Sequence, residues 1–460
     1  MVTPPCIWLP LHWPADTEPR NVIQNWPVAA KGQLPLIRAM GRWSLVALVI
    51  NSIIGSGIFG LPSQLAAALG GRSPWAVLLA GVLIGIIMAS FAEVASHFTQ
   101  AGGPYLYARV AFGRLVGIEM GWMLWLAQLS APAANANLFV IYLGEFWPGA
   151  NSFWPRFLIL TLLVGILALV NYRGVRAGAG VSNFFTVAKL LPLGIVIAAG
   201  LIYIWRGGHV SNAPAPLSHS GWLRAMLVMI FAYGGFESAL TPMSEARDPR
   251  RDVPFSLFTA LACCTLIYTT IQWITVHILA NASASERPLA EIARLALGRP
   301  GAVLVTIGAL ISFYGYLSAK ILGVPRITYA LAEEGDFPRV FAATDAKFRT
   351  PYVSIFVFAA LTWGLALFGS FAWNLTLSAV ARLVYYGVGC GAMPVLRKKQ
   401  PDTALFRLPG GPIFAIAGVL ICMVLLTQVD LSKSLVLIAT VVIAFFNWLW
   451  VRRISPKPTA

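Results

Sequence analysis

The stretch NSIIGSGIFG, residues 51–60, lies at the centre of a long apolar run. The run covers residues 43–69 without a charge, and about 20 apolar residues suffice for one membrane-spanning helix. Gly55, Gly57 and Gly60 nevertheless fall in its middle, although glycine is poorly tolerated in a helix interior. The pattern predicts a membrane helix that is broken near its centre.

The composition is that of an all-α, multi-spanning membrane protein. Of 460 residues, 58% are hydrophobic and 11% are charged, whereas soluble proteins carry about 25% charged residues. Apolar runs of sufficient length predict twelve transmembrane helices. They cover residues 43–70, 74–98, 114–146, 156–172, 181–205, 222–243, 255–280, 301–332, 351–369, 372–396, 412–430 and 433–452.

The distribution of basic residues predicts the orientation. With alternating loops, 22 of the 33 lysines and arginines lie on the side of both termini and 8 on the other side. Cytoplasmic loops carry the excess of positive charge, so we expect both termini in the cytoplasm and the protein in the cell (inner) membrane. This bias also accounts for the net charge of +16 without a nucleic-acid partner. The three remaining basic residues, Lys189, Lys320 and Arg382, lie inside spans.

A second broken helix is predicted at span 6. Gly234 and Gly235 lie near its middle, with Glu237 and Pro242 following. Glycine interruptions at matching positions of two halves are typical of transporters with inverted repeats. The freed backbone groups must line a cavity. The N-terminus of a half-helix attracts an anion, and its carbonyl end attracts a cation. Such a cavity suits a zwitterion such as an α-amino acid. The alternative is that the glycines only permit close helix packing.

The remaining segments are interpreted as follows. Residues 1–42 form a cytoplasmic N-terminal tail that we expect to be disordered, and Met40 is a candidate start. Residues 286–298 predict a short amphipathic helix on the outer surface. The five cysteines and the histidines show no metal or disulfide pattern, so we expect no metal and no cofactor.

Several motifs resemble those of the amino acid–polyamine–organocation (APC) permeases. They are GSGIF at 55–59, AGGPYLYARVAFG at 101–113, NYRGV at 171–175, VAKLLPL at 187–193, FAYGGFES at 231–238, EARDPRRDVP at 245–254, PRITYALAEEGDFP at 325–338 and FRLPGGP at 406–412. The resemblance implies the LeuT-like fold. In that fold residues 43–205 and 222–396 are five-helix repeats of inverse orientation with interrupted helices 1 and 6, and residues 412–452 are two peripheral helices.

The resemblance also implies a site for an amino acid or a related amine. The substrate carboxylate would meet backbone amides at Ser56, Gly57 and Ile58, beside Gly55. The ammonium would meet carbonyls near Ser52, Ile53, Phe231 and Gly234. Phe231 would cover the substrate, and Glu237 and Tyr386 would belong to an inner gate. Leu124 stands where the arginine/agmatine branch has a gating tyrosine, so the gate is expected to differ.

Side chains of other spans are candidates for the pocket: Gln128, Pro132, Lys320 and Ser378. Gln128 could equally form a helix–helix hydrogen bond, and Asn135 and Asn137 are interpreted as polar packing groups. Lys320 has two interpretations. Its ammonium either reaches the inner water or pairs with a carboxylate such as Glu237, or it projects into the pocket beside Arg382 and favours an acidic or neutral polar substrate.

Lys189 is the candidate for proton coupling. It lies about 12 Å from the inner end of span 5, at 1.5 Å per residue, and a lone cation inside the membrane marks a functional site. By resemblance it corresponds to the lysine that replaces a sodium site in sodium-independent members. The alternative is a structural cation bonded to carbonyls of span 1.

These features predict a secondary amino acid transporter rather than an enzyme. The spans lack an evident catalytic pair or metal cluster, and the tails are too short for a sensor's signalling domain. We expect proton-coupled symport of a neutral or acidic amino acid, with amino acid/amine exchange as the alternative and an amino-acid-binding membrane sensor as a weaker one. We expect the proton, the substrate and the lipid bilayer as partners, and no obligate partner subunit.

Overall fold

The computed structural model describes residues 41–55, 57–98, 103–174, 179–208, 219–240 and 248–454, with the backbone alone described at 179–188, 238–239, 249–250 and 454. The predictions for the N-terminal tail, for Met40 and for Ser56 fall outside these residues. Every long element within them is an α-helix, as predicted for an all-α membrane protein.

Fifteen α-helices are described, in two series along the chain. The first comprises α1 (Arg42–Ile53), α2 (Gly57–Leu69), α3 (Ser73–Ser96), α4 (Gly103–Phe112), α5 (Arg114–Leu143), α6 (Phe153–Tyr172) and α7 (Ala179–Trp205). The second comprises α8 (His219–Tyr233), α9 (Phe236–Leu240), α10 (Pro249–Ile278), α11 (Pro288–Glu333), α12 (Tyr352–Phe368), α13 (Phe371–Lys399), α14 (Gly411–Leu426) and α15 (Leu431–Ile454).

The apolar runs coincide with these helices. Within the described residues, seven helices are long and apolar enough to cross a membrane, and α1 with α2 makes an eighth if this bent pair is counted as one span. The seven are α3, α5, α6, α10, α11, α13 and α15, while α12, α14 and part of α7 are shorter apolar helices. A multi-pass membrane protein follows from these lengths and compositions; the count of twelve stays a prediction.

The structure adds one helix to those predicted and has the predicted outer helix as part of a longer one. Helix α4 was not predicted, because residues 103–112 lie between two apolar runs; its Tyr105 and Tyr107 are buried. The predicted outer helix at 286–298 is the first part of α11, which kinks at Gly298 where φ is 72°. Its Leu289 is fully buried, so this segment packs against the bundle.

Polar side chains on α5 join the helices that surround the broken spans. The Asn135 amide donates to the carbonyl oxygen of Phe313 on α11 at 2.8 Å. The Asn137 amide donates to the Gly369 carbonyl at 3.2 Å and accepts from Arg156 of α6 at 2.9 Å. Both asparagines are polar packing groups, as predicted.

The sequence motifs at 101–113 and 325–338 meet at one end of the bundle. Asp336, just after α11, is fully buried and accepts hydrogen bonds from Tyr105 and Arg109 of α4 and from Arg114 of α5, the last at 2.7 Å. The Asn447 amide of α15 donates to the backbone oxygen of Asp336 at 2.7 Å. Asp336 therefore connects the end of α11 to α4 and α5 through its carboxylate and to α15 through its backbone oxygen. The motifs at 101–113 and 325–338 are thus two parts of one cluster.

Candidate functional site

The first predicted break is present. Helix α1 ends at Ile53, Ile54 leaves the helix with ψ of 91°, and α2 begins at Gly57 with its axis turned by 55°. Gly55 lies between the two half-helices. Gly55 and Gly57 therefore mark the break itself, whereas Gly60 lies inside α2, where a Cβ would lie 2.7 Å from side-chain atoms of Leu138 and Phe371.

The start of α2 offers backbone donors. The first N–H groups of a helix have no partner within it, and the helix dipole is positive at this end, so Gly57 and Ile58 provide an environment that suits an anion. A Cβ on Gly57 would lie 3.1 Å from Cε1 of Phe231, and a Cβ on Gly55 would lie 3.7 Å from Cε2 of Tyr316. One aromatic ring from α8 and one from α11 thus lie against the break.

The carbonyl end of α1 already has partners. The Lys189 ammonium donates to the carbonyl oxygens of Asn51 and Ile54, each at 3.0 Å. Lys189 is thus bonded to span 1 carbonyls. This is the contact expected if Lys189 is a structural cation rather than a proton-coupling group. Its role in proton coupling stays a prediction.

A tyrosine of α10 joins both breaks. The Tyr268 hydroxyl lies 3.1 Å from the Ile53 oxygen and 3.3 Å from the Ala232 oxygen. One turn later, the Gln272 amide donates to the Pro62 oxygen in α2 at 3.2 Å. The Ile53 carbonyl, which was predicted to face a substrate ammonium, therefore has a donor from the protein.

The second break lies at Gly234 and Gly235, between α8 and α9. Gly235 has φ of 116°, and a Cβ there would lie 2.3 Å from the Ser52 carbonyl oxygen. A Cβ on Gly234 would lie 2.6 Å from Cζ of Arg382. Only glycine permits this approach, so the two broken helices contact each other where both are interrupted.

A closed polar network lies beside the second break. Glu237 Oε1 accepts from Arg382 and from the Tyr385 hydroxyl, the latter at 2.9 Å. Its Oε2 accepts from the Tyr386 hydroxyl at 3.0 Å and from the Gly235 amide at 2.9 Å. Both predicted gate residues, Glu237 and Tyr386, are thus brought together, and all of these side chains are buried.

This network corrects one interpretation of Lys320. Glu237 pairs with Arg382, not with Lys320, because the Arg382 guanidinium lies against the glycine pair that precedes Glu237. The Lys320 ammonium donates instead to Oε1 of Gln128 on α5 at 2.8 Å. It also lies 5.4 Å from the centre of the Tyr316 ring. Gln128 therefore forms a helix–helix hydrogen bond, and its partner Lys320 is itself one of the pocket candidates.

Contacts between helices also connect the spans that lie beside the two breaks. The Ser378 hydroxyl of α13 donates to the Ala127 oxygen of α5 at 3.1 Å. Ala127 is the residue before Gln128, and Ser378 lies one helical turn before Arg382. Pro132, the remaining candidate, is buried within α5. Helices α11, α5, α13 and α8 are thus connected in succession, and residues predicted from separate spans lie close together.

Three tyrosines of this site were not predicted. Tyr268, Tyr316 and Tyr385 contact the breaks or the Glu237 network, yet each lies in an apolar run that offers no local sign of its orientation. Tyr316 could have been inferred from Lys320, because residues four apart lie on one helix face.

The comparisons with known proteins identify the family of the chain. Residues 40–448 match a family model described as amino acid permease. The chain belongs to the amino acid permease family. Membership in the APC permeases, which the motifs resemble, is thereby confirmed, and the protein is a transporter rather than an enzyme.

Three relatives illustrate the breadth of the family. The permease is 26% identical to the branched-chain amino acid permease BcaP of Bacillus subtilis (strain 168), over 88% of this chain and 91% of the relative. It is 29% identical to the serine/threonine exchanger SteT of the same organism, over 83% and 90%. It is 29% identical to an arginine/agmatine antiporter of Chlamydia abortus, over 75% of each chain. The relatives' names thus support amino acid transport and differ in substrate.

Proposed function

We propose that the permease is a secondary active transporter that carries a neutral or acidic amino acid across the cell membrane by alternating access, in symport with a proton. No further subunit is needed in this proposal. The observation that carries it is the contact between the two broken helices, where Gly235 approaches the Ser52 carbonyl.

The proposed architecture is the twelve-helix LeuT-like fold with both termini in the cytoplasm. Residues 43–205 and 222–396 are the two inverted repeats, and residues 412–452 are peripheral. Two features support it: each proposed repeat begins with a broken helix, and the two breaks are in contact. Paired interruptions of this kind build substrate sites in transporters with inverted repeats.

The backbone at the breaks suits an α-amino acid. The start of α2 at Gly57 and Ile58 presents amide donors to a carboxylate, and the carbonyls of Ser52, Phe231 and Gly234 present acceptors to an ammonium. Both groups of the substrate would be held by main-chain atoms, so the shared part of all amino acids is recognised without side chains. Selectivity among amino acids then depends on the side chains of α5, α11 and α13 near the breaks.

Uptake into proteoliposomes tests the proposal. We expect concentrative uptake of at least one neutral or acidic amino acid when the outside is more acidic, and none driven by sodium alone. Gly57→Leu should abolish uptake because its side chain would enter the contact with Phe231 at the start of α2. Gly194→Leu is the matched control, since nothing lies within 4 Å of the Cβ position there.

Each outcome of this assay has a clear meaning. Binding of an amino acid without flux would favour a sensor and contradict the proposal. Normal uptake by a folded Gly57→Leu protein would remove the carboxylate site from α2.

Exchange is the second candidate, because the names of two relatives describe an exchanger and an antiporter. Liposomes loaded with unlabelled amino acid distinguish the modes. Symport predicts uptake into empty liposomes under a proton gradient, whereas obligatory exchange predicts uptake only into loaded ones.

A further inference from the structure

Four charged side chains contact or adjoin the two breaks: Lys189, Glu237, Lys320 and Arg382. Three are cations and one is an anion. Arg382 pairs with Glu237, whereas the described hydrogen bonds of Lys320 and Lys189 go to neutral oxygens. The interior of the site therefore carries an excess of positive charge when its lysines are protonated.

Glu237 neutralises only one of these cations. Its Oε1 is occupied by Arg382 and Tyr385, and its Oε2 by Tyr386 and the Gly235 amide. Its two oxygens thus accept four donors, a full complement for a carboxylate. It has no remaining acceptor for Lys320.

Lys189 is compensated by a different group. Its two acceptors are carbonyls at the C-terminal end of α1, where the helix dipole is negative. Lys320 has no such partner. Among the described residues it forms no ion pair; its contacts are the neutral Gln128 amide and the Tyr316 ring. A cation in a membrane interior without an anionic partner costs free energy that a carboxylate would recover.

The hydrogen bond to Lys320 fixes the direction of the Gln128 amide. Because Lys320 has only N–H donors, Gln128 must present its oxygen to it. The nitrogen of the same amide group does not face Lys320. It is therefore available as a second donor close to the ammonium. The Tyr316 ring connects these donors to the first break, because it lies against Gly55 and 5.4 Å from the Lys320 ammonium.

We propose that the permease takes acidic amino acids, with the side-chain carboxylate of aspartate or glutamate bound by the Lys320 ammonium and the Gln128 amide nitrogen. This inference rests on the proposed transport function and narrows its substrate class. An acidic side chain supplies the missing anion, a neutral polar side chain meets the same donors without compensating the charge, and a cationic side chain is repelled.

The experiment compares acids with their amide isosteres. Uptake and competition are measured in proteoliposomes for glutamate, glutamine, aspartate, asparagine and arginine, in the wild type and in Lys320→Gln. We expect the wild type to prefer each acid over its amide by about tenfold or more, ~1.4 kcal/mol, and to exclude arginine. Lys320→Gln should lose that preference but still carry the amides, which shows that the variant is folded.

Two further variants sharpen the test. Lys320→Arg keeps the charge and should keep the preference for acids. Lys347→Gln removes an exposed lysine between α11 and α12 and should leave the whole profile unchanged.

The outcomes separate this inference from the function on which it rests. If the wild type carries neutral amino acids while glutamate and aspartate neither enter nor compete, the inference is wrong and the transport function stands. The same holds if Lys320→Gln carries glutamate as the wild type does. If no amino acid is carried at all, the proposed function itself fails.

Discussion

Gly235→Ala tests the contact between the two broken helices directly. The new Cβ would lie 2.3 Å from the Ser52 carbonyl oxygen and 3.1 Å from its carbon, and the backbone φ of 116° is unfavourable for any residue with a Cβ. Backbone strain of this kind costs about 1–3 kcal/mol, and forced overpacking costs about 1–3 kcal/mol. We therefore expect the free energy of unfolding to fall by about 2–6 kcal/mol.

A matched variant separates the two contributions. Gly410, at the start of α14, also has a positive φ, 68°, but nothing lies within 4 Å of its Cβ position. Gly410→Ala should therefore lose only the strain contribution of about 1–3 kcal/mol. Unfolding can be followed in mixed micelles by SDS titration, with the fluorescence of the 16 tryptophans as the signal.

Transport gives a second measurement on the same proteins. Gly235→Ala should also reduce uptake, because relief of the clash separates the breaks, whereas Gly410→Ala should leave uptake near the wild-type rate. If Gly235→Ala proves no less stable than Gly410→Ala, the close approach of Gly235 to Ser52 is refuted.

Two other predictions concern the charges near the breaks. Lys189→Ala should lose the dependence of uptake on an imposed pH gradient; a wild-type response in flux measurements at several gradients would leave Lys189 with a structural role only. Arg382→Gln leaves the buried Glu237 carboxylate unpaired and should lower the free energy of unfolding by about 3–5 kcal/mol. The double variant with Glu237→Gln should recover part of that loss in the same SDS titration, and strictly additive losses would show that the two residues do not form a pair.

The breaks were predictable from sequence because their cause is local. Glycines in the middle of an apolar run weaken a helix wherever the run is placed, and the structure has breaks at the predicted positions, between α1 and α2 and between α8 and α9. The roles expected for Phe231 and Glu237 came from the resemblance to the APC permeases, and the structure places both residues beside the second break.

The pairing of side chains between helices was not predictable in the same way. This pairing depends on the rotation and the depth of each helix relative to its neighbours. The sequence of one apolar run determines neither. Lys320 was therefore considered as a partner of Glu237, although Arg382 holds that position and Lys320 reaches Gln128. Helix α4 was missed for a different reason: its ten residues are too short and too polar to form a span, and its order comes from packing and from the buried Asp336.

The two hydrogen-bonding side chains of α10 have a mechanical consequence. Tyr268 bridges the ends of α1 and α8, and Gln272, one turn further along, holds α2. Attachment at two points along one helix resists rotation as well as translation. Helices α1, α2 and α8 are therefore each linked to α10, and we expect a motion of α10 to move all three with it.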